Sequence, residues 1–279
     1  MKKILLSIIS SLVTLVLTGC FQNETTIHLN KDGSGTLIEE NRIGANMLAQ
    51  LEKSAPPGEA KKARANQLAH AFSEEKFKAH ATELGKGVTF EKSEPIKDNG
   101  SEGFRVTYRF KDINQLKVTF GDSVNEGAMK SMSEAKAATV RTHSSIAFAY
   151  AGGKLTIKMP EPPKTESPEV GKETGGGEMD NPEAQAQIQG MLSDMKMSLK
   201  VIVEPGITET NATYKTDKTI TLVSMDMGKL LKQDKDGTMK KISKVGKNSP
   251  TASMELMQSL KGTDGVRFET KKQVTVTVK

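Results

Sequence analysis

The sequence predicts an α+β fold: a mainly antiparallel sheet with several helices covering one face. Three observations predict it. Apolar and polar residues alternate in several short runs, most clearly at Phe104, Val106, Tyr108 and Phe110, with Arg105, Thr107 and Arg109 between them. That period of two puts one face of each strand in a core and the other in water, as in antiparallel sheets. Other runs repeat at helical spacing, such as Ile43, Met47, Leu48 and Leu51. Glycine-bearing turns, Asp32-Gly33-Ser34-Gly35 and Gly152-Gly153, join neighbouring strands.

In chain order, Thr26 to Asn30 reads as a strand and Thr36 to Arg42 as its hairpin partner. The helix through Leu51 is broken between Ser54 and Glu59 by Pro56, Pro57 and Gly58. A second helix is expected from Ala60 to Ala71. Ser73 is placed to cap a third, with Glu74 and Glu75 in its positive first turn, ending near Leu84 before Gly85 and Gly87. Strands follow at Val88 and Phe90, at Phe104 to Phe110, and at Leu116, Val118 and Phe120. Val124, Ala128, Met132 and Ala135 have helical register. Ile146, Phe148 and Tyr150 form a strand that returns through Leu155, Ile157 and Met159.

Pro160 to Pro182 has a different composition: five prolines, Gly175-Gly176-Gly177 and almost no large apolar groups. Such a segment buries too little to order itself and reads as a flexible loop. A helix from about Glu183 to Lys196 and a strand through Leu199, Val201 and Val203 come next. A strand from Thr219 to Ser224, a helical turn from Met225 to Leu231 and a hairpin at Thr238 to Ile242 follow. The chain closes with a helix from Ser253 to Lys261 and one or two strands from Val266 to Lys279. Residues 26–159 and 183–279 are expected to complete one domain.

The N-terminus has its own logic. Lys2 and Lys3 precede an apolar stretch from Ile4 to Leu17, and small residues lead to Cys20. Basic, apolar, then small is the layout of a secretory signal peptide. The apolar stretch is shorter than the roughly 20 residues of a spanning helix. Leu17-Thr18-Gly19-Cys20 resembles the lipobox of bacterial lipoproteins. The resemblance implies a signal peptide over residues 1–19, cleavage between Gly19 and Cys20, acyl chains on Cys20, and a lipidated tether over residues 20–25. It also implies a place in the cell envelope. With Phe21 rather than aspartate after the cysteine, that place is the periplasmic face of the outer membrane where two membranes exist. Otherwise it is the outer face of the cytoplasmic membrane. Cys20 is the chain's only cysteine, so no internal disulfide supports the fold.

Composition excludes some functions. Aromatics make up 4% and Trp is absent, which argues against the stacking platforms of carbohydrate and single-strand nucleic-acid binders. No nucleic-acid partner is expected. The net charge of +6 is spread along the chain except at Lys229 to Lys247, where Lys240, Lys241, Lys244 and Lys247 close a run of seven lysines against Asp234 and Asp236. Two readings stand for this run: contact with anionic headgroups, or a solvated loop-and-hairpin surface.

No motif names a catalytic residue, a metal or a cofactor. His28, His70, His80 and His143 have no short ligand spacing with one another. Gly-x-Ser-x-Gly, P-loop and zinc-protease patterns do not occur. Asn30 to Gly35 has the look of a calcium loop, but Asn41 stands where the bidentate glutamate belongs. Met195-x-Met197 and Met225-x-Met227 are thioether pairs of the kind that suits Cu(I); core packing is the plainer reading.

The segment Leu199 to Val203, Glu204-Pro205-Gly206, Ile207 to Thr210 and Asn211-Ala212, continued by Thr219 to Val223, resembles the LppM-like domain of bacterial lipoproteins. An early hairpin with an Asp-Gly turn, here Asp32-Gly33, is part of the resemblance. The chain departs from that pattern at Asp217-Lys218, where a glycine turn belongs, and in lacking Trp. The resemblance implies an α+β domain on a lipid anchor, without an established enzyme activity. The expected function is therefore a non-enzymatic, membrane-anchored envelope lipoprotein that binds lipid or another apolar ligand. A structural or assembly partner of envelope proteins is the alternative, and an unrecognised hydrolase a third class.

Overall fold

The structure, a computed structural model, describes residues 21–119, 145–160, 186, 189–190, 192–233, 237, 260 and 262–279. Gly19, Cys20, the register from Val124 to Val140, His143, the loop after Pro160, most of the helix expected from Glu183, the hairpin at Thr238 and the helix at Ser253 lie outside them. So do Lys240, Lys241, Lys244 and Lys247.

The strands form two sheets rather than one. The first has seven strands in the order β11-β10-β8-β1-β2-β4-β3. They are β1 (Phe21–Leu29), β2 (Gly35–Ile43), β3 (Thr89–Asp98), β4 (Ser101–Phe110), β8 (Lys196–Val203), β10 (Thr219–Asp226) and β11 (Val266–Phe268). Every neighbouring pair is antiparallel except β1 and β8. The second sheet runs β5-β6-β7-β12-β9, all antiparallel. Its strands are β5 (Lys117–Thr119), β6 (Ser145–Ala151), β7 (Lys154–Lys158), β9 (Ile207–Thr210) and β12 (Gln273–Val278).

The first hairpin follows from its turn. Gly33 has φ of 89°, which an L side chain disfavours, and Asp32 accepts from the backbone N–H and hydroxyl of Ser34 at 3.0 and 2.6 Å. Those bonds hold the Asp32 carboxyl below its ordinary range. β1 begins at Phe21, not Thr26, so residues 21–25 are paired strand where a tether was expected. Three further elements begin or end away from their expected places. β8 starts at Lys196, inside the expected helix; β10 continues through Met225; and the helical turn expected from Met225 starts at Met227.

Three helices fill the gap between β2 and β3: α1 (Ala45–Ser54), α2 (Ala60–Ala71) and α3 (Glu74–Glu83). Ser73 caps α3 by accepting from Lys76 N–H, and Glu74 and Glu75 sit in its first turn. Phe77 of α3 packs on Phe90 and Phe104 at 6.2 and 5.9 Å, and Phe72 on Phe104 at 5.6 Å. Arg64 of α2 bonds Glu52 of α1 and Glu102 of β4 at 2.6 and 3.2 Å. A short helix, α4 (Met227–Gln233), follows β10.

The second sheet joins the far end of the first. Tyr150 donates its hydroxyl to the Lys31 carbonyl at 2.8 Å, and Ile113 N–H bonds the Gly33 carbonyl at 2.9 Å. Near β11, buried Glu269 accepts from Thr213 N–H, Thr213 hydroxyl and Lys271 N–H at 2.7, 2.9 and 3.0 Å. Burial alone would raise the Glu269 carboxyl, but those donors outweigh it and hold it below its usual range.

Gly35 marks the tightest approach in the hairpin. A Cβ there would lie 1.9 Å from the His28 carbonyl oxygen and 2.6 Å from a Phe110 ring carbon. Backbone cannot yield as a flexible side chain does, so Gly35→Ala is expected to cost at least about 1–3 kcal/mol. Its urea-unfolding midpoint should fall accordingly.

Candidate functional site

Alternation along β2 sends Leu37, Glu39, Asn41 and Ile43 to one face of the sheet. Two of these four are polar, and Glu39 and Asn41 are buried. Register sets Asn23 beside Asn41 and Thr25 beside Glu39 on β1, and Phe104 and Val106 beside them on β4. The polar pair is therefore enclosed from three strands. Asn23 donates its amide to Asn41 at 2.6 Å.

His80 of α3 closes this strip from above. Its Nε2 lies 3.3 Å from Glu39 Oε1 and its Nδ1 3.1 Å from Glu83 Oε2. The Tyr108 ring meets the imidazole edge-on at 5.8 Å. Burial works against a charged imidazole, but the two carboxylates overcome it and raise His80 to about 9. Burial, with Glu39 and Glu83 nearby, pushes the Tyr108 phenol up. Glu39 Oε2 and the Tyr108 hydroxyl are buried without a hydrogen-bond partner among the described residues.

The chemistry of this cluster is structural. A protonated His80 donates both ring N–H groups, one to each carboxylate, and keeps no lone pair for a metal or for taking a substrate proton. It is a charge pair sealed inside the fold. Sequence reasoning missed it because Glu39 and His80 belong to different elements. The one local signal is Glu39 at an inward position of an alternating strand.

The opposite face of the same strands is mostly polar, with Ile38 of β2 between Thr26 and Thr107 as the exception. Arg42 bonds Glu24 at 3.2 Å, and also Gln22 and Glu40. Arg105 reaches Glu40 at 2.7 Å, and Gln22 donates to Ser101 at 3.1 Å. Farther along, His28 pairs with Glu204 and Arg109 with Glu91, each at 2.6 Å. Two concavities lie elsewhere. One, of about 190 Å³, is lined by Lys154, Glu209, Thr210, Asn211, Thr275 and Thr277. The other, of about 260 Å³, is bounded by Asn30, Asp32, Ser34 and Arg109 among others.

Among the described residues no group of three or more His, Cys, Asp or Glu side chains is arranged to hold a metal. No described helix is long and apolar enough to cross a membrane. Of the residues singled out in sequence, Cys20 and the four closing lysines are outside the described set, but both flanks are visible. Phe21, next to Cys20, opens β1, and Lys229 and Lys232, which open the basic run, stand exposed on α4.

The pH dependence of stability tests the sealed pair. His80 holds its proton up to about pH 9 when folded and only to about 6.5 when not. Its stabilisation is complete below 6.5 and lost as pH rises through 9. Denaturant midpoints should fall over that window in the native chain and stay flat in His80→Gln. His80→Ala, which leaves Glu39 buried without its counter-charge, should cost about 3–5 kcal/mol.

No protein-family model matches the chain, and no curated protein does. Among solved structures it is similar to the NMR structure of the folded domain of the Mycobacterium tuberculosis LppM protein. The identity is 10%, the match covers 75% of this chain and 84% of that one, and the TM-score is 0.29. This is a weak structural resemblance.

Proposed function

We propose that the chain is an envelope lipoprotein, held at a membrane by acyl chains on Cys20, that works there by binding rather than by catalysis. The observation that carries this reading is the run from Lys2 to Cys20: basic, apolar, small, and ending Leu17-Thr18-Gly19-Cys20. Two or more acyl chains give stable attachment, since each buried methylene contributes about 0.8 kcal/mol.

The buried His80 supports the non-catalytic half of the reading, because its ring nitrogens are committed to Glu39 and Glu83. The concavity along Thr275 and Thr277 has a mainly polar lining, unlike the apolar enclosure a lipid carrier uses, and the one beside Asp32 and Phe110 is lined about equally by polar and apolar surface. A scaffold for other envelope proteins is the second reading. Arg105 and Arg109 favour it: both are exposed on the mostly polar face of the seven-stranded sheet and held by Glu40 and Glu91, as fixed charges for a complementary partner. Edge-to-edge strand addition is the less favoured route, since β3 carries Lys92, Pro95 and Lys97 and β11 is three residues long.

Detergent phase partitioning tests the anchor. The native chain, expressed with its leader, should enter the Triton X-114 phase with the mass of an acylated protein starting at Cys20. Cys20→Ser should stay in the aqueous phase. A native chain that is aqueous and unmodified would sink the proposal.

A further inference from the structure

We infer that the protein stands end-on upon the membrane, with the end of the seven-stranded sheet where β1 begins facing an anionic lipid surface. The inference rests on the lipid anchor proposed above.

β1 starts at Phe21, one residue after Cys20. One residue of extended chain spans roughly 3.3–3.6 Å, so no spacer separates the acylated cysteine from the sheet. Nor can the start of β1 peel off to make one. It is an interior strand, laddered to β2 from Phe21↔Ile43 and to β8 from Gln22↔Lys196. Gln22 is buried, and its amide donates to Ser101. The body must therefore follow the anchor.

Register shows what shares that end. β2 finishes there at Ile43, leading into α1. The turn from Asp98 to Ser101 joins β3 to β4 there. Lys196 opens β8 and pairs with Asp226, where β10 finishes and α4 begins. Lys229 and Lys232 on α4 are exposed, and they open the basic run noted in the sequence.

The nearby acids are mostly turned to the protein's own donors. Asp194 accepts from Asn46 N–H at 2.7 Å, Asp226 from Lys229 N–H at 3.0 Å, and Asp264 from the Gln233 amide at 2.9 Å. Those bonds leave the carboxylates charged but tie them to the protein, while α4 itself carries no acid and its charged side chains are the exposed Lys229 and Lys232. An acyl anchor beside basic side chains is the two-signal combination that holds proteins on anionic bilayers. The second sheet, fixed to the opposite end through Tyr150 and Lys31, would stand roughly 30 Å away, the length of a nine-residue strand.

Depth-dependent quenching tests this. Single cysteines replace Asp98, Glu94 or Lys111 in the full chain, whose own Cys20 is acylated and unreactive. All three positions are exposed, and they run from the β1-start end to the far end. Each variant carries a fluorophore and is reconstituted on vesicles of phosphatidylglycerol and phosphatidylcholine containing headgroup-spin-labelled lipid. Quenching should be several-fold stronger at position 98 than at 111, with 94 between. The gradient should weaken on phosphatidylcholine alone, and Lys229→Glu with Lys232→Glu should weaken it equally on the anionic vesicles. Equal quenching at all three positions, or strongest quenching at 111, overturns the orientation while the anchor stands. A gradient indifferent to lipid charge and to both lysine changes overturns the anionic partner. Failure of the native chain to float with the vesicles overturns the anchor, and the orientation with it.

Discussion

β1 is laddered on both sides, antiparallel to β2 and parallel to β8, and the rest of the seven-stranded sheet is arranged around that double pairing. The two partners differ in kind. β2 arrives through a short turn built by Asp32 and Gly33, so its register is set locally. β8 arrives from the far half of the chain, with Lys196 meeting Gln22. Loop-closure entropy grows slowly with length, so such a pairing is affordable once buried side chains favour it. Ile27 and Leu29 supply them, packed in the core with Val201 and Val203. Everything between, including α1 to α3 and β3 to β7, must fit within the frame these strands set.

Polar groups inside this frame give it a definite register. A one-residue slip of β2 would send Glu39 and Asn41 to the outer face and move Glu40 and Arg42 inward. In the native register Glu39 meets His80, Asn41 meets Asn23, and Arg42 meets Glu24 and Glu40. Each alternative register strands several charges, so the buried pair acts against misalignment more than it adds net stability. Replacing such pairs with apolar groups is often neutral or stabilising, whereas breaking one is costly.

Much of this was legible in the sequence, and the gaps have physical reasons. The hairpin turn, the helix from Ala60 to Ala71 and the Ser73 cap follow from local chemistry, and all three stand as read. Residues 21–25 were hidden because Gln22, Asn23, Glu24 and Thr25 are polar on both faces. Their partners, Ser101, Asn41 and Arg42, are supplied by other strands. The stretch of β3 from Glu91 to Asp98 was missed because an edge strand open to solvent needs no apolar alternation. The division into two sheets is a property of pairing, which periodicity does not encode. The His80 cluster joins β2 to α3, so no window on the chain contains it. The candidate membrane end likewise needed register: only pairing sets Phe21, Asp98, Lys196 and Asp226 at one end.

The account turns on β1 being strand from its first residues, with no free tether after Cys20. Amide hydrogen exchange on the full chain measures this directly. Slow exchange from Asn23 through Leu29, comparable with that of Lys200 to Val203 in the neighbouring strand, is the predicted result. Rapid exchange across residues 22–25, with protection beginning only at Thr26, would contradict it and return that segment to a tether.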